Sequence, residues 1–206
     1  MSDNKFVVLE GIDGSGTSTQ LEKLSSYCKE KNINSHFTSE PTSSLIGLTI
    51  REFLKGKSKI AKSALPYLFL ADRINHLDGE DGIIHHLNQD RYVFCDRYLF
   101  STLAYQSLDF NIDLLYNQNK NFLLPSRVIF IDTPVAVADS RITSRDKERE
   151  IYEKAQLQHQ IRENYFKAFE LFKNEIKLLV IDGEKSIDAI FTKIINFLEL
   201  ENEISN

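Results

Sequence analysis

The chain has 206 residues, 42% of them hydrophobic and 27% charged, which is enough apolar side chain for one sizeable core and close to the usual size of a single domain. A net charge of -5 argues against a surface built mainly to hold nucleic acid, which needs an excess of lysine and arginine facing phosphate. The opening "MSDNKFVVLE" lacks the basic start and long apolar stretch of a secretion signal, and no apolar run is long enough to span a bilayer, so no membrane partner is expected.

In chain order, "KFVVLE" predicts a first strand, followed by the glycine-rich "GIDGSGTS" and a helix over "STQLEKLSSYCKEKN". A second strand, "NSHFTSE", leads to a helix over "SSLIGLTIREFLKG" that ends at a glycine. The long segment "ALPYLFLADRINHLDGEDGIIHHL" is helical with a break expected at Gly79 to Gly82. "RYVFCD" is the third strand and "LFSTLAYQSL" the helix after it; "SRVIFID" is the fourth strand and "VAVADSRITSR" its helix. A helix over "IYEKAQLQHQIRENYFKAFELFKNE", the strand "IKLLVID" and a final helix over "SIDAIFTKIINFLELE" complete the pattern.

Strand then helix, repeated, implies a parallel sheet. The continuously apolar runs "FVVL", "VIFI" and "LLVI" read as central strands buried on both sides, so the expectation is a doubly wound α/β fold, one domain over 1–206 with no repeat or linker. Cys28 and Cys95, the latter inside apolar "RYVFC", read as reduced packing residues, which suits the cytoplasm.

The residues Gly11, Ile12, Asp13, Gly14, Ser15, Gly16, Thr17, Ser18 and Thr19 lie between a strand and a helix, the setting in which glycine spacing becomes a phosphate site. Backbone N–H groups turn inward around phosphate oxygens, and the helix presents its unpaired N–H groups and positive dipole end to the same anion. Ser18 stands where a hydroxyl ligand to Mg²⁺ belongs, whereas Thr17 occupies the position at which the motif has lysine. Losing that ammonium calls for arginine elsewhere, since a well-placed arginine is worth about 10³- to 10⁵-fold in phosphoryl transfer.

"FCDRYLFSTLAYQ" sets Asp96 and Arg97 at the end of an apolar strand, where ligand-facing residues of an open α/β sheet collect. Asp96 is suited to hold Mg²⁺ through water and Arg97 to fork onto a second phosphate.

From "FVVLEGIDGSGTSTQ" through "FTSEP", "LFLADRINHL", "DRYLFSTLAYQ" and "REIYEKAQLQHQIRENY" to "VIDGEKSIDAI", the chain resembles the thymidylate kinases, nucleoside monophosphate kinases that phosphorylate dTMP with ATP. The resemblance implies a P-loop NTPase-type three-layer fold, with a five-stranded parallel sheet covered by helices on both faces. On the acceptor side it implies that Asp13 lies near the sugar 3′-hydroxyl and that Arg97 grips the dTMP phosphate. It further implies that Phe69 stacks on thymine, that Arg73 donates to a base carbonyl with Ser101 and Thr102 nearby, and that Tyr105 crowds the sugar where a 2′-hydroxyl would sit. On the donor side, "DSRITSRDKEREIYE" resembles a mobile lid around 141–153: Arg141 against adenine, Arg145 and Arg149 swinging onto the transferring phosphoryl group, and Tyr152 and Glu153 near the acceptor, Glu153 touching a metal-bound water. The loop "IDGEKS" would wall the adenine, Mg²⁺ would join Ser18, Asp96 and Glu153, and relatives commonly pair as homodimers through helices.

Two departures remove positive charge from phosphate positions: Thr17, and Ser39 where many relatives carry arginine before the Glu-Pro pair. The acceptor grip is then expected to rest on Arg97, and the arginines of the lid are the candidates to replace the lysine. Phosphate-to-phosphate transfer needs no strong general base, and His85 and His86 read as ordinary surface or satisfied residues. Two alternatives stay open on residues alone: a deoxynucleoside kinase, needing a carboxylate base such as Glu10 or Glu40, and a nucleotide-binding module with little turnover, for which Thr17 and Ser39 speak.

Overall fold

The computed structural model describes residues 4–144 and 150–200. Strands β1 (Phe6–Glu10), β2 (Ser35–Ser39), β3 (Tyr92–Asp96), β4 (Arg127–Asp132) and β5 (Lys177–Asp182) form one sheet in the order β2-β3-β1-β4-β5. Every neighbouring pair is parallel. Among the described residues the helices are α1 (Thr17–Glu30), α2 (Leu45–Leu54), α3 (Leu65–Asp78), α4 (Ile83–Asn88), α5 (Leu99–Gln106), α6 (Ile112–Asn119), α7 (Val135–Thr143), α8 (Ala155–Leu171) and α9 (Ile187–Leu198).

Side-chain alternation along the strands divides the core into two layers. Phe6 and Val8 of β1 join a cluster with Phe100 of α5 and Phe169 of α8, while Val7 and Leu9 join Leu24 of α1 and Ile194 of α9. Helices therefore cover both faces, as expected from the continuously apolar strands. The expected break between α3 and α4 falls at Gly79 and Gly82, which flank the two helices.

Strand burial differs from expectation at one edge. β5, expected with β1 and β4 as a central strand, lies outermost, and Leu178 and Val180 stay 37% and 45% exposed at that edge. β3 is the third interior strand, buried from Tyr92 to Cys95. Helix α6 carries no strong periodic signal: only Leu115 and Asn119 are buried along it, and its start is set by the Asn111 side chain accepting from the Asp113 and Leu114 amides.

What this topology positions is the carboxyl end of the sheet. Leu9 of β1 is in register with Asp96 of β3, so the glycine loop after β1 and the Asp96–Arg97 pair after β3 emerge side by side.

Candidate active site

The loop after β1 turns through Gly14 and Gly16, at φ +80° and +102°, and delivers the chain into α1 with no side chain capping its first amides. At Gly14 the turn also runs tight against α7: a Cβ there would lie 2.5 Å from the Ala138 carbonyl oxygen. Ile12 is buried and anchors the loop in the core, while Ser18 and Thr19 are exposed at the helix start. The amides of that first turn remain available to an anion. Thr17 is buried, a short neutral side chain where the motif carries an ammonium.

Ser18 and Asp96 come together as the sequence pattern requires. The Ser18 hydroxyl donates to Asp96 Oδ2 at 2.7 Å, and the other carboxylate oxygen, Oδ1, is buried without a protein partner. A hydroxyl oxygen beside an unsatisfied carboxylate oxygen is a hard-donor set that fits Mg²⁺. Among the described residues no group of three or more His, Cys, Asp or Glu is placed to hold a metal.

Arg97 adopts φ +69°, the left-handed region that a non-glycine residue enters at a cost. Its side chain is nevertheless firmly placed. Nη1 donates to the Gly11 carbonyl, Tyr105 Oη and Tyr165 Oη at 2.9, 3.0 and 3.2 Å, and Nη2 donates to Asp13 Oδ1 at 2.7 Å. Asp13 is held from its other side by the Gln158 amide of α8, 2.8 Å from Oδ2, which also donates to the Tyr152 carbonyl at 2.7 Å. Under this layer sits Glu10, accepting from the Ser101 hydroxyl at 2.6 Å and Tyr165 Oη at 3.1 Å; burial pushes its carboxyl up to about 7, against the pull of Ser101 and Arg97.

A cavity of about 300 Å³ opens beside the loop. Asp13, Ser18, Phe69, Asp96, Arg97, Ser101, Thr102, Tyr105 and Tyr152 all line it. Arg73 does not: it is fully buried behind the wall, its guanidinium donating to Glu40, Asn119 and Thr102 and lying 4.8 Å from the Tyr98 ring. The guanidinium, expected to reach a base carbonyl, is bonded here to Glu40 and Asn119, acceptors deeper in the core. Glu153 likewise turns back to accept the Glu150 amide at 2.8 Å, and Glu150 lines the cavity instead. Burial first, then the nearby Asp13 and Glu153 charges, raises the Glu150 carboxyl.

Arg141 lies on the opposite flank of the loop, donating to the Ser15 carbonyl at 3.2 Å and the Gly183 carbonyl at 2.9 Å, so it bridges the glycine loop to the "IDGEKS" segment. Arg145 and Arg149 lie outside the described residues. No histidine lines the cavity; His86, read as surface or satisfied, is buried, stacks on His36 at 3.6 Å and lies 3.0 Å from Asp81.

Among the charged and amide-bearing side chains of the cavity, three carry no assignment from the sequence: Arg51, Gln106 and Glu150. Arg51 follows buried Gly47 by one helical turn on α2, a signal visible in "LIGLTIREFL". Gln106 directly follows Tyr105 within a motif already singled out; it is 2% exposed and lies beside Tyr152. Glu150 had no signal apart from its charge run.

Comparison with known proteins agrees with this arrangement. A family model described as thymidylate kinase matches residues 9–194. A putative thymidylate kinase of Treponema pallidum is 38% identical over 198 residues, covering 95% of each chain. A probable thymidylate kinase of Methanocaldococcus jannaschii is 35% identical over 201 residues, covering 97% of this chain and 98% of its own. Among solved structures, thymidylate kinase from Candida albicans superposes with a TM-score of 0.79 at 25% identity, covering 98% of this chain and 93% of that one. Likeness at this level, spread over almost the entire length and not over the glycine loop alone, means that the chain belongs to the thymidylate kinase family.

Proposed function

We propose the following division of labour for the phosphoryl transfer from ATP to dTMP that membership of the thymidylate kinase family assigns to this chain. The observation that carries it is the adjacency of the β1 and β3 ends, which sets a donor-phosphate loop against Arg97 and the cavity beyond it. On the acceptor side, Arg97 and Arg51 grip the dTMP phosphate, and Arg51 supplies the charge that Ser39 lacks. Phe69 stacks on the base, with Thr102 and the Gln106 amide facing its polar edge. Tyr105, fixed by Arg97, fills the space a ribose 2′-hydroxyl would need, Asp13 faces the 3′-hydroxyl, and Tyr152 closes the site. Arg73 acts as a brace behind Thr102 and Glu40.

On the donor side, the amides from Gly14 to Thr19 cradle the ATP phosphates, and Arg141 with the 183–186 loop flanks adenine. Ser18 and Asp96 would hold Mg²⁺, which when bound would offset the negative charge of the phosphates. The acceptor oxygen is already anionic, so positioning and guanidinium charge suffice without a general base. Arg145 and Arg149 carry the charge that Thr17 does not. Exposed Leu48 on α2 and Tyr67 and Ile74 on α3 supply apolar surface for the homodimer. Among the described residues no helix is long and apolar enough to cross a membrane.

The test is ADP release from Mg·ATP with dTMP, dUMP, CMP or thymidine as acceptor. Turnover is expected with dTMP, and less with dUMP, whose missing methyl removes about 1–3 kcal/mol of pocket contact. Binding of dTMP without turnover would make the chain a nucleotide-binding module, and faster turnover of thymidine would make it a nucleoside kinase.

A further inference from the structure

The segment from Ser39 to Ser44 is a partition with a cavity on each side. Glu40 and Pro41 face the substrate cavity, while Thr42, Ser43 and Ser44 face a second cavity of about 570 Å³; Ser39 and Arg51 border both. A loop open on two sides is held by packing less than most, so its hydrogen bonds decide its position.

Those bonds converge on Asp72. This α3 carboxylate is 1% exposed, and among the described residues its hydrogen bonds come from the partition: the Thr42 amide donates to Oδ2 at 2.7 Å, and the Thr42 and Ser44 hydroxyls donate to Oδ1 at 2.6 and 3.0 Å. Charge-assisted bonds of this kind are about twice as strong as neutral ones, and a buried carboxylate cannot forgo them. Ser44 in turn accepts the Gly47 amide at 3.2 Å and starts α2. The α2 backbone presses on the same residue from the other side: a Cβ on Gly47 would lie 2.1 Å from the Thr42 carbonyl oxygen. Arg51, one turn further along α2, donates from Nε to that carbonyl at 3.4 Å and from Nη2 to the Pro41 carbonyl.

We propose that Asp72 is a positioning residue for the acceptor: by holding Thr42 and Ser44 it fixes the Pro41 and Thr42 carbonyls on which the Arg51 guanidinium rests, and so aims Arg51 at the acceptor phosphate. Asp72 never reaches the substrate cavity itself. The proposal rests on the reading of Arg51 as a phosphate ligand. Asp72→Asn replaces one acceptor oxygen by a donor facing a donor, and Thr42→Val removes the hydroxyl while keeping the shape, so each loosens the partition without touching the cavity's other wall.

Steady-state kinetics with dTMP and ATP varied separately, together with thermal melts, provide the test. Asp72→Asn and Thr42→Val should each raise the KM for dTMP about tenfold, with kcat and the KM for ATP unchanged within about twofold. Arg51→Ala should raise the KM for dTMP at least as much, and adding Asp72→Asn to Arg51→Ala should then change it by less than about twofold. A multiplicative double variant, or single variants with an unchanged KM, overturns the role of Asp72 while leaving Arg51 in place. An unchanged KM in Arg51→Ala alone overturns the reading of Arg51 instead. If Asp72→Asn does not fold, Thr42→Val with and without Arg51→Ala carries the same cycle.

Discussion

At the last position of β1, Glu10 is fully buried, holds the amides of Tyr98 and Ser101 at 2.8 and 3.3 Å and also accepts from two hydroxyls that contact Arg97. Such a carboxyl organises the cavity floor and does not line the cavity, which argues against it as a base for a sugar hydroxyl. Burial raises it from 4.5 to about 7. Between those pH values the folded protein keeps a proton there that the unfolded chain has released, so stability from this group is complete below about pH 4.5 and is lost as pH rises through about 7. The full shift corresponds to on the order of 3 kcal/mol. Glu10→Gln, neutral at every pH, should show a flatter decline of unfolding free energy from pH 5 to pH 8 in urea titrations; a decline as steep as that of the unsubstituted chain would show that another group governs it. That the pair Asp96–Arg97 mattered was readable from its place after an apolar strand. That Arg73 would face inward was not, because its partners Glu40 and Asn119 are 33 and 46 residues away in the chain.

Among the elements, α2 links the partition at Ser44 to Arg51. Its start is capped by Ser44, its glycine lets the chain pass against Thr42, and its later turn carries Arg51. Gly47→Ala should therefore lower unfolding stability by about 1–3 kcal/mol through overpacking and also raise the KM for dTMP. Loss of stability in urea titrations with an unaltered KM would uncouple α2 packing from the site. Periodicity located this helix from "LIGLTIREFL", but α6 escaped it, since a short helix with two buried positions leaves almost no pattern to read. In α8 the helix begins at Ala155 rather than at Ile151, leaving Tyr152 free of helical geometry and able to face Tyr105, with ring centroids 5.6 Å apart.

Across the whole molecule, a parallel sheet brings its strand ends to one edge, and the chain hangs every proposed functional segment from that edge. The donor loop follows β1, the partition follows β2, Arg97 follows β3, α7 with Arg141 follows β4 and the adenine-flanking loop follows β5. In the proposed reading, Arg145 and Arg149 supply the positive charge at the junction of the two nucleotides. Arg149→Ala should lower kcat by about 10²-fold or more while the KM for dTMP changes little. A kcat equal to that of the unsubstituted chain would show that the missing lysine charge is made up elsewhere.

Local pattern determined the strand-helix alternation, the glycine loop with its neutral Thr17, and the pairing of Ser18 with Asp96, because each depends on spacing within a few residues or on a rule of parallel sheets. Only the tertiary structure decided that β5 lies at the edge, that Arg73 braces a wall, and that Arg51, Gln106 and Glu150 face the cavity. The physical reason is that burial and hydrogen-bond partnership across long sequence separations follow from which surfaces the folded helices leave uncovered. No short window of residues encodes that geometry.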